Sequence, residues 1–345
     1  MIKKNLCGMT LDEISGLIQA EGYDHTHAVR IANSIYKKCT KDTYQIGGIS
    51  KSLKEYLDQI AETGIYAPAA SEISADKTIK YLFISHEGKK FESVWMPDIK
   101  RRTICISTQS GCRMGCPFCV TAKYGFHGNL SAGDIVNQVI SIPDNGKATH
   151  VVFMGMGEPM DNLENVLKAC TIMTAEWGMA LSPRNITVSS VGITPGIIEF
   201  LNKSSCNLAI SLYSPFKEER IHVVPAESAY PVNGIIGIMK DFPVRKKRRL
   251  SVAYVMIKDV NDTTRHLEGL KKLLRGSDIR VNLMPYHPAK DDVNTSSPDD
   301  RMLYFKHELV ISGISASVRK SRGADISAAC GLLASGLKQP DIPPS

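Results

Sequence analysis

GCRMGCPFC, residues 111–119, puts Cys112, Cys116 and Cys119 on one short loop, with three residues between the first pair and two between the second. Thiolates at this spacing can ligate three corners of a four-iron, four-sulfur cluster, a group that normally takes four cysteines. No fourth cysteine lies nearby, so one iron would stay open to a substrate or cofactor. An open position on a metal usually goes with catalysis, as it does in three-ligand zinc sites. Structural zinc is the competing reading. It needs four ligands, and His127, eight residues past Cys119, is the nearest extra candidate. Free thiols are the remaining reading, because nine cysteines in 345 residues make an odd, sparse count that suits a disulfide framework poorly.

Outward from the loop, the texture is that of strands alternating with helices from Arg101 on. The strand candidates are TICIS (103–107), HVVFMGM (150–156), ITVSSV (186–191), NLAISLY (207–213), LSVAYVMI (250–257), RVNLMPY (280–286) and ISASVRK (314–320). A helix over Ser131–Ile142 starts with Ser131 as N-cap and Asp134 three residues on. Recurrence every roughly 25 to 40 residues argues for parallel βαβ units in an α/β fold. Six or so units, with the cysteine loop directly after the first strand, predict a partial or full barrel with its chemistry at the C-terminal strand ends. Those ends carry Cys105, the GMGEP turn (Gly155–Pro159), Ser189 and Ser190, Ser211 to Tyr213, and His287. Glycines there let a ligand approach the backbone, and Glu158 could accept from an ammonium group. A glycine-rich turn alone is most often only a turn. Before the barrel, residues 1 to about 70 read as helical, with Thr10 capping Leu11, Ile14, Leu17 and Ile18, then His25–Cys39 and Ser50–Ala61. Thr78–Pro97 reads as a β-hairpin turning at Glu87 and Gly88.

Composition narrows the class of partner. A hydrophobic fraction of 43% is ordinary for a globular chain. No apolar run has the length of a membrane span and the N-terminal stretch lacks a signal-peptide core, so a soluble, cytoplasmic, reducing setting is expected. The net charge of +7 is a modest basic excess, but the cations are grouped. Lys100–Arg102, Arg245–Arg249, and Arg319, Lys320 and Arg322 form three runs. Any one run is as readily a solvated face. Three together favour a polyphosphate substrate over a small neutral one.

The C-x3-C-x2-C spacing resembles the signature of the radical S-adenosylmethionine (radical SAM) superfamily, in which the open iron chelates the amino and carboxylate groups of SAM. With RGADISAACGLL (322–333) far downstream, the chain resembles the RlmN/Cfr family of radical SAM adenine methyltransferases from about Glu92 to Leu333. The resemblance implies a partial (β/α)6-type barrel over 99–325, a helical accessory domain over 1–72, a β-hairpin extension over 73–98, and a carrier-cysteine segment over 326–345. It implies a [4Fe-4S] cluster on Cys112, Cys116 and Cys119, and two SAM molecules per turnover. SAM contacts carry over as Gly157, Glu158, Ser189, Ser211, Leu212, Tyr213 and His287. Cys330 becomes the S-methylcysteine carrier. A 5′-deoxyadenosyl radical removes a hydrogen from its methyl group, and the carbon radical adds to the adenine ring. Cys105 becomes the resolving thiol, which forms a disulfide with Cys330 and frees the base. Glu92 becomes the proton acceptor; read from its surroundings in the sequence alone, it is an exposed strand residue. Three positions depart from the family pattern, which mostly has His at Tyr213, Asn at His287 and Gln at Leu332.

The leading reading is therefore methylation of an adenine ring carbon, C2 in preference to C8, in 23S ribosomal RNA, with transfer RNA as a further candidate substrate. GMGEP and VRKSRG lean toward the RlmN side, SPFKEER and ALSPR toward Cfr. An electron donor such as flavodoxin or ferredoxin and a monomeric state go with that reading. Two alternatives stand beside it. One is a radical SAM enzyme acting on a small molecule or peptide, for which the basic runs are incidental. The other is a non-catalytic, metal-stabilised RNA-binding module, which leaves Cys105, Cys330 and GMGEP without a common purpose.

Overall fold

Thr10 opens the first helix with a reciprocal cap. Its hydroxyl accepts from the Glu13 amide, and the Glu13 carboxylate accepts from the Thr10 amide at 2.7 Å. In the computed structural model, which describes residues 3–99, 101–142, 148–243, 248–289 and 292–334, α1 (Leu11–Gln19) follows this cap. α2 (His25–Tyr36) is capped by Asp24 and α3 (Lys51–Ile60) by Ser50. Leu11, Ile14 and Ile18 form the buried stripe of α1, and Ala28, Ile31, Ala32 and Ile35 that of α2. Two short parallel strands, β1 (Lys4–Asn5) and β2 (Ala61–Glu62), tie the start of this unit to its end. It docks closely on the rest of the chain. A side chain at Gly8 (φ +95°) would meet the Gly133 backbone nitrogen at 2.4 Å, and the Tyr66 hydroxyl donates to Asp134 at 2.7 Å.

Next comes a three-stranded antiparallel meander, β3 (Ala70–Ile73), β4 (Ile79–Ile84) and β5 (Lys90–Met96). The hairpin was legible from its alternating apolar residues. β3 was not, because all four of its residues are exposed and carry no alternation. β5 then pairs antiparallel with β6 (Thr103–Cys105), which starts the parallel part of the sheet.

After β6 come β7 (Gln109–Gly111), α4 (Val120–Tyr124), β8 (Phe126–Asn129) and α5 (Ala132–Ile140). The βα alternation continues as β9 (His150–Phe153), α6 (Leu163–Thr174), β10 (Ile186–Ser190), α7 (Thr194–Lys203), β11 (Asn207–Ser211), α8 (Lys217–Val223), α9 (Val232–Asp241), β12 (Leu250–Met256), α10 (Thr264–Leu274), β13 (Arg280–Pro285), α11 (Asp299–Ile311) and β14 (Ala316–Val318). The sheet runs β14-β13-β12-β11-β10-β9-β6-β5-β4-β3, ten strands whose two end strands do not pair with each other. All seven strands expected from the sequence are present and parallel, which makes an open α/β barrel with an antiparallel extension on one edge.

The strands have two chemically different faces. Ile104, Val151, Val188, Leu208, Ile210, Val252 and Val281 are fully buried in one apolar core with the helices. Their neighbours on the other face, Thr103, Cys105, Val152, Thr187, Asn207, Ser251 and Asn282, line one cavity of about 520 Å³. A period of two therefore separates core from lumen. No described helix is long and apolar enough to cross a membrane.

Candidate active site

The cysteine loop is held by the small hairpin of β7 and β8. Gly111 (φ +78°) has to be glycine, because a Cβ there would sit 1.6 Å from the Gly125 carbonyl oxygen. Arg113 pairs with Asp161 at 2.9 Å and stacks its guanidinium 3.9 Å above the Phe126 ring. Phe118, between Cys116 and Cys119, lies parallel to the Tyr213 ring at 6.0 Å. Cys112, Cys116 and Cys119 all face a cavity of about 190 Å³ at the C-terminal strand ends. Burial first, then the nearby thiols and carboxyls, push the Cys112 and Cys116 thiols up to about 12. Thiols this reluctant to ionise alone become thiolates when a cationic metal site takes them as ligands.

The three loop thiols lining one cavity suit an iron–sulfur cluster with one open iron, whereas structural zinc needs a fourth ligand. His127 does not join them. Its ring pairs with the Tyr124 carbonyl at 3.1 Å and packs against the Tyr124 ring.

The expected SAM contacts meet this same cavity. Gly157, Glu158, Ser189, Ser211, Tyr213 and His287 all line it. Gly157 (φ +97°) is pressed so close to Gln109 that a Cβ would lie 2.6 Å from the Gln109 Cβ. Glu158 is buried, and its carboxylate accepts from the Met160 and Val191 amides at 2.9 and 2.8 Å. Burial dominates those bonds and pushes its carboxyl up to about 7. Tyr213 takes a left-handed backbone (φ +60°) at the end of β11, and the Asn261 amide donates to its carbonyl at 2.9 Å. Burial lowers the His287 imidazole below its usual range, and its Nε2 pairs with Ser321 at 2.8 Å. Leu212 departs from expectation. Its side chain is buried in the apolar core and the residue does not line the cavity; its amide donates to the Ala253 carbonyl at 2.9 Å and its carbonyl accepts from the Ser214 amide at 2.7 Å.

The two distant thiols come together. Cys330 lines both the smaller cavity and the larger lumen, and Cys105 lines the lumen. Both are free thiols, Cys330 exposed and Cys105 buried; burial first and then the neighbouring Cys330 sulfur push the Cys105 thiol above the ordinary range. The segment bearing Cys330 is strapped down at several points. Lys80 donates to the Ile326 carbonyl at 2.6 Å, and Asp325 accepts from the Ser74 hydroxyl and the Ala75 amide. On the cluster side, the Val120 amide donates to the Gly331 carbonyl at 2.8 Å and the Thr121 hydroxyl to the Leu333 carbonyl at 3.0 Å.

Glu92 corrects an expectation. It is only 2% exposed, not on an open strand face, because this strap covers β5. Its carboxylate accepts from the Ala334 amide at 2.7 Å, and burial raises its pKa. It lines neither cavity.

Cations from all three basic runs line the lumen: Arg101, Arg249, Arg319, Lys320 and Arg322. Lys100, Arg245, Lys246 and Lys247 lie outside the described residues. Arg184 and Arg280 line the lumen too. Neither belonged to a run, so neither was expected to face a lumen. Gln109 was also missed. Its amide oxygen accepts from the Glu158 amide and its nitrogen donates to Asn129 and Asp161, at 2.7 to 2.9 Å.

Known proteins match this arrangement. A model of the radical SAM superfamily matches residues 106–271, which take in the cysteine loop and most of the barrel. A probable dual-specificity RNA methyltransferase RlmN of Bacteroides thetaiotaomicron is 42% identical over 339 residues, 98% of either chain. One of Parabacteroides distasonis is 41% identical over 331 residues, 96% of either chain. The chain belongs to the RlmN family of radical SAM enzymes. The crystal structure of a radical SAM methyltransferase from Sphaerobacter thermophilus is 34% identical and superposes with a TM-score of 0.89, covering 96% of this chain and 99% of its own. Membership brings the [4Fe-4S] cluster and SAM as cofactors, and the cysteine loop and its cavity have the donors that such a pair needs. An RlmN-family chain with Tyr at 213 keeps a ring stacked on the cluster loop, and His287 keeps a polar side chain at the cavity wall.

Proposed function

We propose that this radical SAM enzyme methylates an adenine ring carbon of RNA, at C2, in 23S ribosomal RNA, with transfer RNA as a second substrate. The carrying observation is that Cys105 and Cys330 border one lumen that also gathers Arg101, Arg184, Arg249, Arg280 and Arg319. A small neutral substrate has no use for that many cations, whereas the phosphates around an extruded nucleotide do. The dual-specificity RNA methyltransferases among the relatives support the same choice.

In this reading Cys112, Cys116 and Cys119 hold the cluster, which when bound supplies the electron for SAM cleavage. Glu158 takes the ammonium group of SAM, while Ser189, Ser211, Tyr213 and His287 orient the rest. Cys330 carries the methyl group and would give up one hydrogen atom of it to the 5′-deoxyadenosyl fragment of SAM. Its carbon then bonds to the adenine, and the electron left on the adduct once the ring proton is lost would return to the cluster. Glu92 accepts the ring proton, a role that fits its raised pKa and requires it to release the Ala334 amide and turn into the lumen, which it does not line here. The Cys105 thiol then gives up its proton and its sulfur bonds to the Cys330 sulfur as the sulfur–carbon bond breaks; the electron pair of that bond stays on the departing carbon, which takes up a proton to become the methyl group of the base. A flavodoxin- or ferredoxin-type donor, a monomeric state and a cytoplasmic setting belong to the proposal. Nine free thiols support the reducing compartment.

Mass spectrometry of 23S and transfer RNA from cells with and without this protein tests the reading. It expects 2-methyladenosine to disappear from the deletion strain. Unchanged RNA, with a peptide or small molecule altered instead, would overturn it. So would loss of 8-methyladenosine, as regards the carbon.

A further inference from the structure

Arg220, on α8, is fully buried, an unusual state for a guanidinium. The sequence reads it as one charge in the KEER turn, with no hint that it points inward. Its Nε donates to the Leu212 carbonyl at 3.0 Å. Its Nη2 donates to the Ser211 carbonyl at 3.0 Å and also to the Val191 carbonyl. Its Nη1 pairs with Glu227, itself buried and held by the Val232 amide. One side chain thus ties together the bends at which β10 and β11 leave the sheet.

Those bends are the wall of the smaller cavity, where Val191 and Ser211 both appear. Val191 is bound on both sides of its backbone. Its amide donates to the Glu158 carboxylate, and its carbonyl accepts from Arg220. Without Arg220, the Val191 and Ser211 carbonyls would lose this donor and the Leu212 carbonyl would keep only the Ser214 amide, all three converging on one spot beside Cys116. Carbonyls in that arrangement repel one another and would splay the strand ends. A planar fork can serve three separate carbonyls and a carboxylate at once. A lysine ammonium cannot, because its three donors radiate from one nitrogen.

We propose that Arg220 is a positioning residue for SAM: through the Val191 peptide and the Ser211–Leu212 carbonyls it fixes where Glu158 and the end of β11 stand. Glu227 keeps the guanidinium charged and oriented. This inference rests on the assignment of the smaller cavity to SAM, and is independent of the identity of the RNA.

The test is SAM binding to the anaerobic, cluster-loaded protein. It is read by equilibrium dialysis and by the SAM-induced change in the electron paramagnetic resonance spectrum of the reduced cluster. Arg220→Lys should keep wild-type iron content and bind SAM about tenfold more weakly, equivalent to about 1.4 kcal/mol. Wild-type affinity and spectral change in Arg220→Lys would overturn the proposal. Should that variant fail to fold or to take up iron, Glu227→Gln, which retains an acceptor for Nη1, is measured instead. A several-fold weaker affinity supports the role and an unchanged one overturns it. Glu158→Gln separates the two levels of the argument. If it binds SAM like the wild type, the assignment of the cavity fails; if it alone weakens binding while Arg220→Lys does not, only the role of Arg220 fails.

Discussion

The carboxyl of Glu158, held up at about 7 by burial, gives SAM binding a pH dependence of defined sign. An ammonium ligand favours the carboxylate, so affinity should rise as pH climbs through about 7 and level off above it. Isothermal titration from about pH 6 to 8 checks this, and Glu158→Gln should flatten the profile. Stability of the ligand-free protein should move the opposite way. A carboxyl whose folded pKa is raised stabilises the fold at low pH, and that contribution is lost as pH rises through the folded value. The melting temperature of the ligand-free protein should therefore fall between about pH 5 and 7 and level off above it in the wild type, and not in Glu158→Gln. Residues of this kind were legible to different degrees. The three loop cysteines declare themselves because their ligand geometry is local in sequence. Cys105 and Cys330 stand more than two hundred residues apart, and only a family resemblance joined them before the fold did. Glu92 was misjudged because its cover comes from the strap around Ala334, at the far end of the chain.

Among elements, the helices and parallel strands were readable because caps and apolar periodicity are short-range signals. Ser131 with Asp134 forms a reciprocal cap on α5, and Ser50 caps α3. β3 was missed because it carries no buried face, and the strap over 323–334 because nothing in its composition says what it packs on. That strap yields a prediction. Lys80→Met removes the bond to Ile326 and should speed amide hydrogen exchange over 323–334. Iron content should stay unchanged, while RNA methylation slows. Equal exchange in the two proteins would mean that the strap is held elsewhere. The extension itself depends on the Phe83 and Phe91 rings, stacked at 5.7 Å and fully buried. Phe91→Ala should destabilise the protein by about 3–5 kcal/mol, measured by urea unfolding.

At the scale of the whole molecule, the curled sheet turns scattered charges into a single environment. Arg101, Arg249 and Arg319 belong to three different runs, yet Arg249 and Arg319 both depress the Arg101 pKa, after burial, by like-charge repulsion. Only the fold could reveal that convergence, since a run in the sequence looks the same whether it faces solvent or a lumen. If the lumen receives RNA, Arg101→Gln and Arg249→Gln should each weaken binding and reduce the slope of log affinity against log salt by about one. Filter binding across a salt series reads this directly, and an unchanged slope would remove both residues from the RNA path. The central claim, that Cys330 carries the methyl group and Cys105 resolves the adduct, has a more direct test. Cys105→Ala protein, made in iron-replete cells, is digested and analysed by mass spectrometry for RNA on Cys330. The account predicts an adenosine nucleotide joined through one methylene carbon to Cys330, and no such adduct in Cys330→Ala. Unmodified Cys330 in the Cys105→Ala protein, together with full methylation activity in Cys330→Ala, would contradict it.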